Sequence, residues 1–136
     1  MKKLLFSIVA LAIFCASDNL FAQNNSVLES NKKLAVKYHE LNPDDIDEIL
    51  SEDFTGHVNE RTWNREDHRR VWTQNELKAE DKILFMVAEN NLVAVRFVRT
   101  GEIEGESFST EVMQFMRFEN EKIVEVWEVY DASQFE

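Results

Sequence analysis

The sequence predicts an α+β protein in which about three N-terminal helices precede a bent antiparallel sheet. Apolar residues recur at helical spacing through the first half of the chain, and they gather in β-branched and aromatic runs through the second half. These runs are separated by polar breaks with turn chemistry, at Asn90-Asn91 and at residues 101–105. Helices that precede strands in this way are typical of the α+β class.

The first predicted helix begins at a capping box formed by Ser26 and Glu29. Its apolar face repeats at helical spacing through Val27, Leu34, Tyr38 and Leu41. A second, short helix is expected to follow directly, because Asn42 can cap it and Pro43 suits its first position. The buried stripe of this helix is expected to be Ile46, Ile49 and Leu50.

A third helix is expected to begin near Asn64, capped with help from Asp67. One face of this helix carries His68, Val71, Trp72 and Asn75. Four strands are then predicted near residues 82–88, 92–100, 107–118 and 122–130. The last two strands flank the polar break at residues 119–122, so they should pair as an antiparallel hairpin.

Gln114 and Glu128 are the first candidates for a functional site. Strand side chains alternate between the two faces of a sheet, so each of these residues shares a face with apolar neighbours. The hairpin should place the two residues opposite each other. Polar groups within apolar faces are costly unless they are paired or used, and a carboxylate there is a candidate general base. The alternative for Glu128 is a structural salt bridge, with Arg61 or Arg69 as the expected partner.

The first 22 residues have the features of a secretory signal. Lys2 and Lys3 form a positive region, residues 4–15 form an apolar run, and Ala22 closes a cleavage site. The run is shorter than the roughly 20 residues that a membrane span needs. An uncleaved anchor and lipidation at Cys15 are the alternatives. We therefore divide the chain into a signal (1–22), a leader with the start of the first helix (23–29) and one domain (30–136). We expect export to the periplasm or medium, with no stable membrane insertion after cleavage.

Composition restricts the partners. The chain of 136 residues has 15 basic and 26 acidic side chains, a net charge of −11. This acidity argues against nucleic acid or anionic lipid as partners, and it suits a neutral or cationic ligand or simply solubility. No metal-ligand spacing, phosphate loop or Ser/His/Asp order appears in the sequence, so we expect no cofactor and no metal. His39, Glu80 and Asp81 are expected to be exposed to solvent.

Several segments in order resemble one known family. The C-terminal segment combines Met116-Arg117-Phe118, a turn, and the run KIVEVWEVYD at residues 122–131. Further matching segments are EDFTGH at 52–57, NREDH at 64–68 and LVAVR at 92–96. The chain resembles the SnoaL-like polyketide cyclase group, within the superfamily of nuclear transport factor 2 and ketosteroid isomerase. The resemblance covers roughly residues 30 to 131.

The resemblance implies a cone-shaped sheet wrapped around the helices, with a pocket at its open end. His57 matches a position that often holds a pocket-lining histidine, so His57 and Glu128 are the predicted catalytic pair. Gln114 stands where many relatives carry His or Asp, and because an amide is neither acid nor base it would bind or orient a carbonyl or hydroxyl. His68 either reaches the pocket or lies at the surface, half covered by Trp72. Aromatic and sulfur side chains are expected to serve as core or pocket wall, namely Tyr38, Trp72, Met116 and Tyr130.

Two classes of function follow. The first is an exported protein that binds a hydrophobic small molecule in the cone pocket and catalyses cofactor-free proton transfer of an isomerase, cyclase or hydrolase type. The second is a module that binds a ligand or partner without chemistry. Relatives often dimerise through the outer sheet face, so a homodimer is expected through Met113, Phe115, Trp127 and Val129.

Overall fold

A computed structural model describes residues 25–40, 42–73, 78–103 and 105–131 of the chain. The predicted secretory signal and its cleavage site lie outside these residues. None of the helices in the described part is long and apolar enough to cross a membrane.

Three helices are present, as the sequence predicts. Helix α1 covers residues 25–39, and a single 3-10 turn at Pro43–Asp45 leads into α2, Ile46–Ile49. Helix α3 is Arg65–Thr73. The caps predicted at Asn42 and Asn64 form, whereas Ser26 lies within α1 and not at its N-cap. The Asn42 side chain accepts from the Asp44 backbone at 3.2 Å. Asn64 and Asp67 each accept a bond from the other's backbone N–H, at 2.9 and 3.1 Å.

The sheet has six strands rather than the four that the sequence pattern predicts. They are β1 Leu50–Val58, β2 Arg61–Asn64, β3 Lys78–Glu89, β4 Leu92–Ile103, β5 Glu106–Glu119 and β6 Lys122–Tyr130, in the spatial order β2-β1-β6-β5-β4-β3. Strands β1 and β2 lie between α2 and α3, where the sequence pattern predicts no strand. Strand β1 runs parallel to β6, so the sheet is mixed, and its other pairs are antiparallel.

The predicted hairpin of the last two strands is confirmed. Gln114 lies opposite Glu128 in the β5–β6 register. Asn120 and Glu121 both have positive φ, which gives a two-residue turn of the type that matches strand twist. The register of this hairpin fixes which side chains point to the same face.

The two faces of the sheet differ in what they contact. The inner face carries the core, where Ala35 and Tyr38 of α1 and Ile46 and Ile49 of α2 pack on the strands. Its strand residues include Phe54, Val93, Val95, Phe97, Val112, Met116, Phe118, Ile123 and Val126. The outer face leaves large apolar side chains exposed, among them Phe85, Val87, Met113, Phe115 and Val129. The inner face is therefore where a polar side chain needs a specific explanation.

Candidate functional site

Gln114 and Glu128 both lie on the buried inner face, as predicted. Gln114 is fully buried and Glu128 is 5% exposed. The Gln114 amide Nε2 donates to Glu128 Oε2 at 2.8 Å. Arg117 and Trp127 lie on the opposite, outer face, since they alternate with these two residues along β5 and β6.

Glu128 is not an isolated carboxylate, because Arg99 of β4 binds it. Arg99 Nη1 donates to Glu128 Oε1 at 3.0 Å. The prediction of Arg61 or Arg69 as a salt-bridge partner is wrong: Arg61 is exposed on β2, and Arg69 binds Asp47 and Glu66 at the surface. The sequence does carry a signal for Arg99, which continues the period-two alternation of the buried residues Val93, Val95 and Phe97.

The same guanidinium also binds Asp81 of β3. Arg99 Nε and Nη2 donate to the two Asp81 oxygens at 2.7 and 2.8 Å, while the guanidinium carbon lies 5.2 Å from the centre of the Phe97 ring. The Asp81 carboxylate is fully buried, so the expectation that it is solvated is wrong. Burial opposes its ionisation, but hydrogen bonds from Arg99 and His39 and the Arg99 charge outweigh burial and lower the pKa of Asp81.

His39 completes this end of the network. Its Nδ1 lies 2.9 Å from Asp81 Oδ2, and its ring packs edge-on against Phe97 at 4.4 Å between centroids. The expectation that His39 is exposed is wrong, because its side chain is 2% exposed. Helix α1 turns His39 towards β3, and a buried carboxylate there supplies the partner that a buried imidazole needs.

Tyr38 and His68 form a second buried pair beside the first. The Tyr38 hydroxyl lies 2.6 Å from His68 Nε2. Burial, followed by the Arg99 charge, lowers the pKa of His68 to about 4, and burial, followed by the Glu128 charge, raises the pKa of Tyr38. At neutral pH the imidazole is therefore uncharged and the phenol keeps its proton. The surface alternative for His68 is wrong.

Aromatic rings surround His68. The Tyr38, Phe54, Trp63 and Trp72 rings all lie within 6.2 Å of the imidazole, centroid to centroid. Trp72 and Tyr130 are half-buried against the core, whereas Met116 is fully buried within it. Tyr38 and Met116 are therefore core residues, and Trp72 and Tyr130 pack at the edge of the core.

His57 does not join Glu128. It lies opposite Trp127 in the β1–β6 register, and the two rings stack on the outer face at 5.7 Å with an interplanar angle of 9°. Its Nε2 lies 3.0 Å from Glu125 Oε1, and Glu125 in turn accepts from Arg117. The prediction that His57 and Glu128 share one pocket is wrong, because the alternation of β1 sends His57 to the opposite side of the sheet.

Four buried polar atoms on this side of the sheet have no hydrogen-bond partner among the described residues. They are His39 Nε2, His68 Nδ1, Thr110 Oγ1 and Gln114 Oε1. Thr110 lies opposite Arg99 in the β4–β5 register. We call Tyr38, His39, His68, Asp81, Arg99, Thr110, Gln114 and Glu128 the interior cluster. It has hydrogen-bonding capacity that the described part of the protein does not use.

A surface groove with a volume of about 880 Å³ lies elsewhere. Charged side chains line it, including Asp47, Glu52, Arg65 and Lys122, where β1 departs from β6 between Leu50 and Thr55. No residue of the interior cluster lines this groove, so the cluster's buried polar atoms without partners lie outside it. The interior cluster is therefore the better candidate. Across the described ranges, no group of three or more His, Cys, Asp or Glu side chains could hold a metal ion.

Comparisons with known proteins agree with this architecture. Residues 34–126 match the family described as SnoaL-like domain. A SnoaL-like polyketide cyclase from Agrobacterium tumefaciens is 15% identical with a TM-score of 0.64, over 77% of this chain and 94% of that one. An LEH-like epoxide hydrolase from M. tuberculosis is 12% identical with a TM-score of 0.67, over 82% and 87%.

A third solved structure contains a small ligand. It is a protein with a ketosteroid isomerase-like fold from Catenulispora acidiphila, in complex with trimethylamine. It is 19% identical with a TM-score of 0.61, over 68% of this chain and 78% of that one. A search of the curated proteins found no match. At these identities the structural likeness concerns the fold alone.

Proposed function

Because this chain belongs to the SnoaL-like domain family, we propose that it binds a small organic molecule at the interior cluster. Structural relatives include a cyclase, a hydrolase and a protein with an isomerase-like fold, and one of them holds trimethylamine. The observation that carries the proposal is the set of buried, unpartnered polar atoms beside Glu128. If the cluster served stability alone, each of these polar atoms would be expected to have a hydrogen-bond partner within the protein.

We propose that a ligand reaches the cluster at Arg99. That side chain keeps 17% of its surface exposed, whereas Glu128 is 5% and Gln114 0% exposed. Ligand sites combine largely apolar walls with a few converging polar groups. The inner face offers that combination, since Phe97, Val112 and Val126 lie beside Gln114 and Glu128.

Proton transfer is the second candidate function, and two observations favour it. Glu128 is a buried carboxylate held in place by Arg99 and Gln114. Tyr38 keeps its proton and can donate to a developing negative charge on oxygen. His57 has no part in this proposal, because it lies on the outer face.

The two candidates are separated by Glu128→Gln, which keeps the shape of the side chain and removes its charge. A catalytic base should lose roughly 10²-fold or more of the turnover rate. If Glu128 only binds the ligand, the variant should lose affinity, and neither wild type nor variant should convert the ligand. The assay is ligand affinity and conversion measured together on wild type and variant, after both have been shown to fold. Binding that does not depend on Glu128, Gln114 or Tyr38 would contradict the proposed site.

Assembly through the outer sheet face is a further proposal. Met113, Phe115 and Val129 are each between 45% and 63% exposed there, on the adjacent strands β5 and β6. Phe85 of β3 is also exposed, but Arg96 of β4 lies between it and Met113. Contiguous apolar faces of this kind commonly mark protein interfaces. A second copy of the chain is the proposed partner, because a two-fold axis lets one such face cover itself.

We also propose that the protein is exported. This proposal rests on Lys2, Lys3 and the apolar run that precedes Ala22. N-terminal sequencing of protein recovered outside the cytoplasm should find Gln23 as the first residue. Recovery of the chain with residues 1–22 attached, in the cytoplasm, would contradict this proposal.

A further inference from the structure

We infer that the ligand of the interior cluster carries a protonated amine, bound between the Glu128 carboxylate and the Gln114 amide oxygen. This inference rests on the proposed function and adds the chemical class of the ligand. It differs from the carbonyl compound that the sequence suggested.

The distribution of charge supports a cation. The two carboxylates of Asp81 and Glu128 share the one guanidinium of Arg99. Arg99 directs two N–H groups to Asp81 and one to Glu128, and His39 also contacts Asp81. The second side chain that binds the Glu128 carboxylate is the neutral Gln114 amide. The negative charge that is least compensated therefore lies at Glu128.

The hydrogen-bonding inventory supports a donor. Gln114 must turn its NH₂ towards the Glu128 carboxylate, which leaves its Oε1 as a buried acceptor without a partner in the described residues. Each Glu128 oxygen receives one bond and can accept another. Two kinds of acceptor therefore lie side by side. A carbonyl or carboxylate ligand would add more lone pairs, whereas an ammonium group supplies up to three N–H donors.

The aromatic surroundings suit a positive charge. The Arg99 guanidinium already lies 5.2 Å from the centre of the Phe97 ring, a cation–π distance. Burial, followed by the Glu128 charge, raises the pKa of Tyr38. The net charge of −11 on the whole chain would raise the local concentration of cations.

The test is a matched series: benzylamine, benzyl alcohol and benzoate, and the same three head groups on a cyclohexyl ring. Affinity is measured by calorimetry, and the site is identified from the Met116 methyl signal in protein labelled at its methionine methyl groups. Amines should bind about tenfold or more tightly than the alcohols, and the carboxylates should not bind. Gln114→Leu should reduce amine affinity several-fold and alcohol affinity less.

A control and a second variant keep the test decisive. Glu125→Gln removes a carboxylate from the outer face of the same strand and should leave amine affinity unchanged. If Glu128→Gln fails to fold, Gln114→Leu carries the test, because it leaves the Arg99–Glu128 bond in place. Alcohols that bind at Met116 as tightly as amines would overturn the amine inference and leave the proposed function standing. If neither amines nor alcohols perturb the Met116 signal, both the amine inference and the proposed function are overturned, whether or not the compounds bind at the outer face.

Discussion

The Gln114 amide donates to the Glu128 carboxylate at 2.8 Å across the β5–β6 hairpin, and both side chains are turned to the interior. This contact joins two residues that are 14 positions apart in the chain and directly opposite each other in the register of the hairpin. It matters because it fixes the orientation of the amide and leaves Gln114 Oε1 as an acceptor. The chemistry proposed for the cluster depends on this orientation.

Glu128→Gln should destabilise the protein by about 1–3 kcal/mol. The sequence alone predicts no loss, because an unpaired buried carboxylate is unfavourable. The structure reverses that expectation, since Arg99 binds Glu128 at 3.0 Å and would lose a charged partner. Chemical denaturation measures the change. Glu125→Gln, on the outer face, is the control and should cost less. An unchanged or increased free energy of unfolding for Glu128→Gln would show that the Arg99 bond contributes little.

Stability should fall on acidification below about pH 6.5, before most carboxylates titrate. His68 has a pKa of about 4 in the folded protein against 6.5 for the free side chain. The unfolded chain therefore binds more protons between these values, so stability is fully present above pH 6.5 and is lost towards pH 4. The slope attributable to His68 is at most about 1.4 kcal/mol per pH unit. The lowered pKa of Asp81 adds a loss of the same sign at still lower pH.

His68→Phe tests this assignment, because phenylalanine keeps an aromatic ring among Tyr38, Phe54 and Trp72. Loss of the hydrogen bond between His68 and Tyr38 should lower the free energy of unfolding at every pH. The dependence on pH between 4 and 6.5 should nevertheless become shallower than in wild type. Identical slopes for the two proteins would assign the acid sensitivity to other groups.

Phe115→Lys should convert a dimer into a monomer. Phe115 is 48% exposed at the centre of the outer face, between strand neighbours Ala94 and Trp127. A buried lysine would be costly in a self-paired apolar interface. Light scattering at concentrations on the order of tens of micromolar measures the mass. Val36→Lys is the matched control, because Val36 is similarly exposed but lies on α1. A monomeric wild type would contradict the proposed interface.

The sequence could predict the β5–β6 contact because both strands and their turn are contiguous, so local pattern sets the register. It could not predict that Asp81 lies opposite Arg99. A bulge near Leu84 shifts the β3–β4 pairing between Ile83 and Phe85, and the shift brings these two residues into register. The alternation of apolar residues in the sequence does not indicate this bulge.

The face of the sheet on which His57 lies could not be predicted from local sequence either, for a different reason. Its face depends on strand β1, whose short polar sequence resembles a loop and whose partner β6 lies some 70 residues later in the chain. Long-range parallel pairing of this kind leaves no local turn signal. The family resemblance matched the segment that contains His57, but it did not indicate the face of the sheet to which the His57 side chain points.

Methionine methyl spectra show directly whether a ligand binds at the inner face of the sheet. Met116 is fully buried on the inner face beside Gln114, and Met113, on the same strand, is 45% exposed on the outer face. A bound amine should shift the Met116 methyl signal and leave the Met113 signal unchanged. A ligand that shifts Met113 while Met116 stays unchanged would place binding on the outer face and contradict binding at the interior cluster.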